Sequence, residues 1–196
     1  MVTRKGILFV ISGPSGVGKG TVRSAVLSQV DQVQMSISAT TRPPRAGEVD
    51  GKDYFFTTPG QFQQMRAQGD LLEWAQVYGN LYGTPRAFVL SMLSQGKDVL
   101  LEIDIQGAMQ IKEKMPEGVF IFIAPPTVEE LCRRLCSRGN DSEESIQIRL
   151  AACQEEMSHM HYYDYVVVND HIEVASEKVR SIIIAERCRI NNLNLG

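Results

Sequence analysis

Ile7-Leu8-Phe9-Val10-Ile11, followed by Gly13-Pro14-Ser15-Gly16-Val17-Gly18-Lys19-Gly20-Thr21, decides the fold. An apolar run leads into a glycine-rich turn, and a helix-forming segment, 21–30, follows. That succession is the context a phosphate-binding loop requires. Glycines let the backbone curl until successive N–H groups point inward and cradle phosphate oxygens. The helix that follows adds the partial positive charge of its N-terminus. Lys19 supplies a compact, mobile charge for the outer phosphates. In the usual pattern the residue after the lysine is Ser or Thr, whose hydroxyl binds Mg²⁺. Here Gly20 stands at that position and Thr21 comes one place later.

Outward from this loop, further apolar runs at 98–104, 118–124 and 165–168 read as buried strands. Between them, helices are expected at 107–115, 127–137, 142–159 and 172–191, the one at 127 opening on the capping box Thr127-Val128-Glu129-Glu130. Buried strands alternating with helices imply an α/β fold with a parallel, doubly wound core sheet. Residues 34–84 read differently. Short strands are expected at 33–38, 53–57, 71–78 and 81–84, with tight links. One helix starts at Thr58-Pro59 and ends near Gly69, and another runs from Pro85 to Gln95. This is the pattern of a small antiparallel insertion in a larger α/β unit.

The 196 residues, 43% hydrophobic, suffice for one good core. The net charge of −3 argues against a general affinity for nucleic acid. No apolar run approaches the ~20 residues of a membrane span. Residues 1–6 are too short for a signal peptide and lead straight into a strand, so a cytoplasmic protein is expected. Cys132, Cys136, Cys153 and Cys188 form no paired metal spacing and are expected to be buried, reduced thiols.

The basic residues matter for their position. Arg42 and Arg45 flank Pro43-Pro44, which hold the loop extended or turning. With Tyr54 and Tyr82 they suit a second phosphate. Arg133, Arg134 and Arg138 crowd one helix end beside Gly139, and Arg149 follows on the next helix. Converging, they would stabilise charge spread over a transferring phosphoryl group. A solvated face paired with Glu129, Glu130, Glu143 and Glu144 is the plainer alternative. Glu73 and Asp104 are acids expected near the ligand-binding edge of the sheet.

Taken together, these residues resemble the guanylate kinase family, essentially end to end. The loop 13–21 is similar to that family's P-loop. Ser38 and 40–48, then 50–56, resemble its GMP-binding signature. Tyr82-Gly83-Thr84, Asp104-Ile105-Gln106-Gly107, and Arg138-Gly139 with Glu143-Glu144-Ser145 and Arg149-Leu150 follow in order. Leu81 stands where the family commonly has a second tyrosine. The resemblance implies a three-layer core (1–36, 87–127, 159–196), a GMP-binding insertion (37–86) and a helical lid (128–158).

It also implies the reaction ATP + GMP ⇌ ADP + GDP, with Mg²⁺ accompanying ATP and no nucleic acid or membrane partner. By it, 13–21 would bind ATP, with Lys19 catalytic, and Asn169 would contact adenine. Arg42, Arg45, Tyr54 and Tyr82 would hold the GMP phosphate, with Glu48 and Gly83 in the same site. Ser38, Glu73, Thr84 and Asp104 would read guanine, Asp104 also ordering water around the metal. Arg134, Arg138 and Arg149 would act on ATP and the transferred phosphoryl, Arg42 joining them in catalysis. Two other readings are a phosphopeptide-binding scaffold and a kinase of similar architecture acting on a phosphorylated sugar. The first predicts a decayed P-loop, the second missing guanine readers; neither loss is seen.

Overall fold

The computed structural model describes residues 3–136 and 155–194. The strands are β1 (Thr3–Arg4), β2 (Leu8–Ser12), β3 (Val33–Met35), β4 (Ala39–Thr40), β5 (Phe55–Phe56), β6 (Leu71–Val77), β7 (Asn80–Pro85), β8 (Asp98–Glu102), β9 (Val119–Ala124), β10 (Tyr165–Val168) and β11 (Leu193–Asn194). The helices are α1 (Lys19–Leu27), α2 (Pro59–Gln68), α3 (Arg86–Ser94), α4 (Ile105–Lys114), α5 (Val128–Cys136) and α6 (Ile172–Arg187).

The apolar runs form a five-stranded sheet, order β10-β9-β2-β8-β3, parallel throughout. Every residue of β2 and β9 is buried, as strands covered on both faces require. Side chains alternate between the faces. Phe9, Ile11, Leu100, Ile121 and Ile123 pack with Val22 and Val26 of α1 and with Val179 and Ile183 of α6. Leu8, Val10, Val99, Leu101, Phe120 and Phe122 pack on the other face with Val89 of α3 and Ala108 and Ile111 of α4. This is a three-layer α/β core. Its central strand, β2, delivers the P-loop at its C-terminal end, where open parallel sheets bind ligands.

A second, four-stranded sheet has the order β5-β4-β7-β6. The β4/β7 and β6/β7 pairs are antiparallel, whereas β4 and β5 run parallel, so this sheet is mixed rather than purely antiparallel. Thr58 caps α2 reciprocally with Gln61 and Pro59 takes the first helical position. Tyr78 and Gly79 link β6 to β7 with φ of 47° and 81°, the left-handed pair of a two-residue hairpin turn.

Several boundaries differ from those expected. α1 starts at Lys19, two residues early, because Gly18 adopts the left-handed conformation that caps it. α4 starts at Ile105 because the Asp104 carboxylate accepts the Gly107 N–H (3.1 Å) and caps the helix. β3 stops at Met35, after which the Ser36 N–H still bonds to the Leu100 carbonyl at 3.1 Å. The last helix ends at Arg187, and a 3₁₀ turn covers Ile190–Asn192. Of the helix expected at 142–159, residues 142–154 lie outside the described residues; 155–158 are helical and continue into a 3₁₀ turn, His159–Tyr162. Cys188 is exposed at the C-cap of α6 and Cys132 is half-buried, so neither is the buried thiol expected; both are free.

The ends of the chain are tied together. β1 pairs with β11, and the fully buried Asp98 accepts hydrogen bonds from Arg4, from Arg187 Nε (2.8 Å) and from the Ile7 N–H (3.0 Å). Arg187 also donates to the Asp31 carbonyl at 2.7 Å.

Candidate active site

The P-loop is held from below. Val17 is fully buried in the core, and its carbonyl accepts the Asn169 Nδ2–H at 2.8 Å. Gly18, at φ 95°, is needed there: a Cβ would lie 2.6 Å from Asn169 Nδ2. Gly13, at φ 143°, passes so close to β9 that a Cβ would meet the Ile123 carbonyl oxygen at 2.2 Å. Lys19 Nζ donates to the carbonyls of Gly13 (2.6 Å) and Pro14 (2.9 Å), folding its charge across the loop. The Ser15 N–H points to the Glu156 carboxylate at 3.4 Å. Burial pushes the Glu156 carboxyl up, opposed by the charge of Lys19.

Opposite the loop, Arg42 forms a bidentate pair with Glu48 (2.8 and 2.9 Å) and donates to the Pro43 carbonyl at 2.7 Å. Its guanidinium lies 5.3 Å from the Tyr54 ring centre. The Glu48 hydrogen bond raises Arg42, and the same contact lowers Glu48. Glu48 also accepts the Arg45 N–H at 2.7 Å. Glu48 therefore holds the Arg42 guanidinium and, through the main chain, the loop at Arg45.

Glu73, on β6, is 2% exposed and accepts the Thr84 hydroxyl hydrogen at 2.6 Å. Burial pushes its carboxyl up to about 7, the Thr84 hydrogen bond opposing and the nearby Asp104 carboxylate adding to the rise. Gly107 makes the room: a Cβ there would lie 2.4 Å from Glu73 Oε2. Gly83 sits behind, where a Cβ would meet Leu71, Phe62 and the Glu73 carbonyl.

One cavity of about 580 Å³ joins these parts. Gly13, Ser15, Lys19, Ser38, Arg42, Arg45, Tyr54, Glu73, Tyr82 and Asp104 all line it. Arg134 and Asn169 lie away from it, beneath the loop. Arg134 donates to Glu130 (2.7 Å) and to the carbonyls of Asn169 (3.0 Å) and Val17 (3.5 Å). Asn169 is 2% exposed, and its Oδ1 is buried without a hydrogen-bond partner among the described residues. Arg138 and Arg149 lie outside the described residues. The sequence reading missed Glu156, and with it Gln76, Tyr78, Gln106, Met109, Glu155 and His159, which also line the cavity. Glu155-Glu156, an acid pair just before the helical segment gives way to a 3₁₀ turn, was the one visible signal.

For a divalent cation the donor set is two carboxylates, Glu102 and Asp104, at the ends of β8 and of the turn after it. Among the described residues no three His, Cys, Asp or Glu side chains group closely enough to hold a metal by themselves. Arg23 Nη1 forms an ion pair with Glu102 Oε2 at 2.7 Å. Hard oxygens in this number fit Mg²⁺, which keeps several waters and takes its other ligands from phosphates.

The model of one family, guanylate kinase, matches residues 5–186. A guanylate kinase of Syntrophomonas wolfei is 65% identical over 194 residues, 99% of this chain and 100% of that one. Another, from Caldanaerobacter subterraneus, is 54% identical over 97% of this chain and 92% of its own length. The crystal structure of guanylate kinase from Anaplasma phagocytophilum superposes with a TM-score of 0.84 at 36% identity, covering 98% of this chain and 92% of that one. With its parallel core sheet, its P-loop and this extent of likeness, the chain belongs to the guanylate kinase family.

Proposed function

We propose that this enzyme transfers the γ-phosphoryl group of ATP to GMP, giving ADP and GDP, in the presence of Mg²⁺. The observation that carries the reading is the shared cavity: the phosphate loop, the arginine–tyrosine cluster and the buried Glu73 open into one space of about 580 Å³. A donor and an acceptor nucleotide therefore meet inside it.

In this reading the N–H groups from Ser15 to Gly20 and the Lys19 ammonium bind the ATP phosphates. Arg42, Arg45, Tyr54 and Tyr82 grip the GMP phosphate. Ser38, Glu73, Thr84 and Asp104 face guanine, whose N–H donors along one edge suit a carboxylate that accepts two bonds. Adenine would turn a lone pair towards that carboxylate, and a site of buried hydrogen-bonding groups rejects such an analogue by roughly 10⁴-fold or more.

A GMP phosphate oxygen attacks the γ-phosphorus in line. The new P–O bond forms as the β–γ bridging bond breaks, and ADP leaves. That oxygen is already ionised, so no protein base or nucleophile is required; positioning and charge neutralisation carry the catalysis. Bound Mg²⁺ would neutralise charge on the ATP phosphates. Glu102 and Asp104 would hold it through water. Residues 37–86 then form the GMP-binding unit of a cytoplasmic enzyme. The lid expected at 128–158, with Arg138 and Arg149, lies largely outside the described residues.

The deciding test is a coupled assay of ADP release with GMP, AMP, UMP and a sugar phosphate as acceptors. GMP is expected to be used in strong preference. Equal turnover of AMP, or activity on the sugar phosphate alone, overturns the assignment.

A further inference from the structure

Glu73 sits at an irregular point of its strand. β6 pairs with β7 at Leu71 and again from Trp74 onward, with a register shift between them. β6 is also the last strand of its sheet, so its outer edge has no neighbouring strand among the described residues. That edge meets α4 instead. Gln110 donates from Nε2 to the Trp74 carbonyl at 2.7 Å and accepts the Trp74 N–H at Oε1, 3.3 Å. An adjacent strand would satisfy that residue in the same way. One turn on, Lys114 Nζ donates to the Leu72 carbonyl at 2.5 Å. One turn back, Gly107 leaves the gap into which the Glu73 carboxylate fits. Positions 107, 110 and 114 fall on one stripe of the helix. Backbone groups on both sides of Glu73 are thus fastened to α4, whose N-cap is Asp104.

We propose that Gln110 is a positioning residue for base recognition, standing in for a missing strand so that α4 sets the place of Glu73 relative to Asp104. The inference rests on the reading that Glu73 faces guanine. Gln110 does not itself line the cavity. Its effect is to refer both acids to one rigid helix instead of to two separate sheets. Such support matters because a displacement of ~1 Å in a positioning group costs up to about 10²-fold.

The test is a double-mutant cycle on the full-length enzyme. Gln110→Met keeps the side-chain length and removes both bonds. KM for GMP is expected to rise about tenfold, the scale of a net hydrogen bond lost, with KM for ATP unchanged within about twofold. On a Glu73→Gln background the same change is expected to add less than about twofold, since residues acting through one another are not additive. The pH profile supplies a readout that general loosening would not move in this direction. Glu73 is faced by the Thr84 hydroxyl, the Asp104 carboxylate and the Lys114 ammonium. Freeing β6 admits water to the carboxylate, so the pH below which GMP binding weakens moves down.

Equal losses for ATP and GMP, or the same factor in both backgrounds, would overturn the proposal. A crippled Glu73→Gln enzyme beside an unaffected Gln110→Met overturns it alone. Unchanged GMP use in Glu73→Gln overturns the base-reading assignment and this inference with it. Should Gln110→Met fail to fold, Lys114→Met, which loses the bond to the Leu72 carbonyl and also the ammonium facing Glu73, carries the same KM cycle with an expected rise of about threefold, without the pH readout, because the lost charge itself pushes the Glu73 carboxyl up.

Discussion

At Glu73, burial favours the neutral acid, while the proposed recognition of guanine needs the carboxylate. Burial holds the group at about 7 instead of 4.5. GMP must therefore bind an enzyme already half protonated near neutrality, and KM for GMP is expected to climb about tenfold per unit below pH 7. Steady-state kinetics between about pH 5.5 and 8.5 check this, and a flat profile would count against Glu73 as the base reader. The same shift acts on stability. The folded state keeps this proton over pH 4.5 to 7 while the unfolded chain has released it, so the ligand-free protein loses stability as pH rises through that window. Gly20 offers a contrasting case. A Cβ there would meet the Glu102 carboxylate oxygens at 3.6 and 3.7 Å, ordinary contact. Gly20→Ser should keep kcat within about fivefold. Gly107→Ala, whose methyl would intrude on Glu73, should lower kcat/KM for GMP by about tenfold or more, with ATP binding spared.

Among the elements, the loop after β4 carries the proposed phosphate grip. Pro43-Pro44 stiffen it, and Glu48 fixes the Arg42 fork through two bonds. Arg42→Lys keeps the charge but not the fork, and is expected to raise KM for GMP by about tenfold while guanosine binds both enzymes alike. A large difference in guanosine binding would show that Arg42 acts on something other than the phosphate. Such features were legible in the sequence because they are local: the P-loop spacing, the Thr58-Pro59 start and the Arg-Pro-Pro-Arg loop each need fewer than ten residues. Asp104 was read as a ligand contact, and its second task, capping α4, was missed because an acid beside a predicted strand end suits either role. The Gln110 clamp was not legible. An amide 36 residues from Trp74 carries no periodic signal.

The whole molecule repeats that contrast. Apolar runs announced the parallel core because burial on both faces leaves a mark along each strand. Asp98 left none. Its partners Arg4 and Arg187 are 94 and 89 residues away, and only the fold brings them together. Asp98→Asn strands two half-buried guanidinium groups and is expected to cost about 3–5 kcal/mol, the range for breaking a buried ion pair. Thermal or urea unfolding measures it; a loss under about 1 kcal/mol would mean that Arg4 and Arg187 are adequately solvated without Asp98.

The Glu156 carboxylate accepts the Ser15 N–H, so the protein's own anion already sits on one donor of the proposed phosphate nest. Nucleotide arrival is then an exchange of anions. The displaced carboxyl returns to water and becomes a stronger acid, since burial is what held it up. Over the acidic range in which this carboxyl titrates, the exchange should therefore release part of a proton, and the calorimetric heat of ATP binding should vary with the ionisation enthalpy of the buffer. Protons belonging to ATP itself cancel when the wild type is compared with Glu156→Gln. The variant should show the smaller buffer dependence and the tighter ATP binding; identical calorimetric behaviour would mean that Glu156 stays in place when ATP binds.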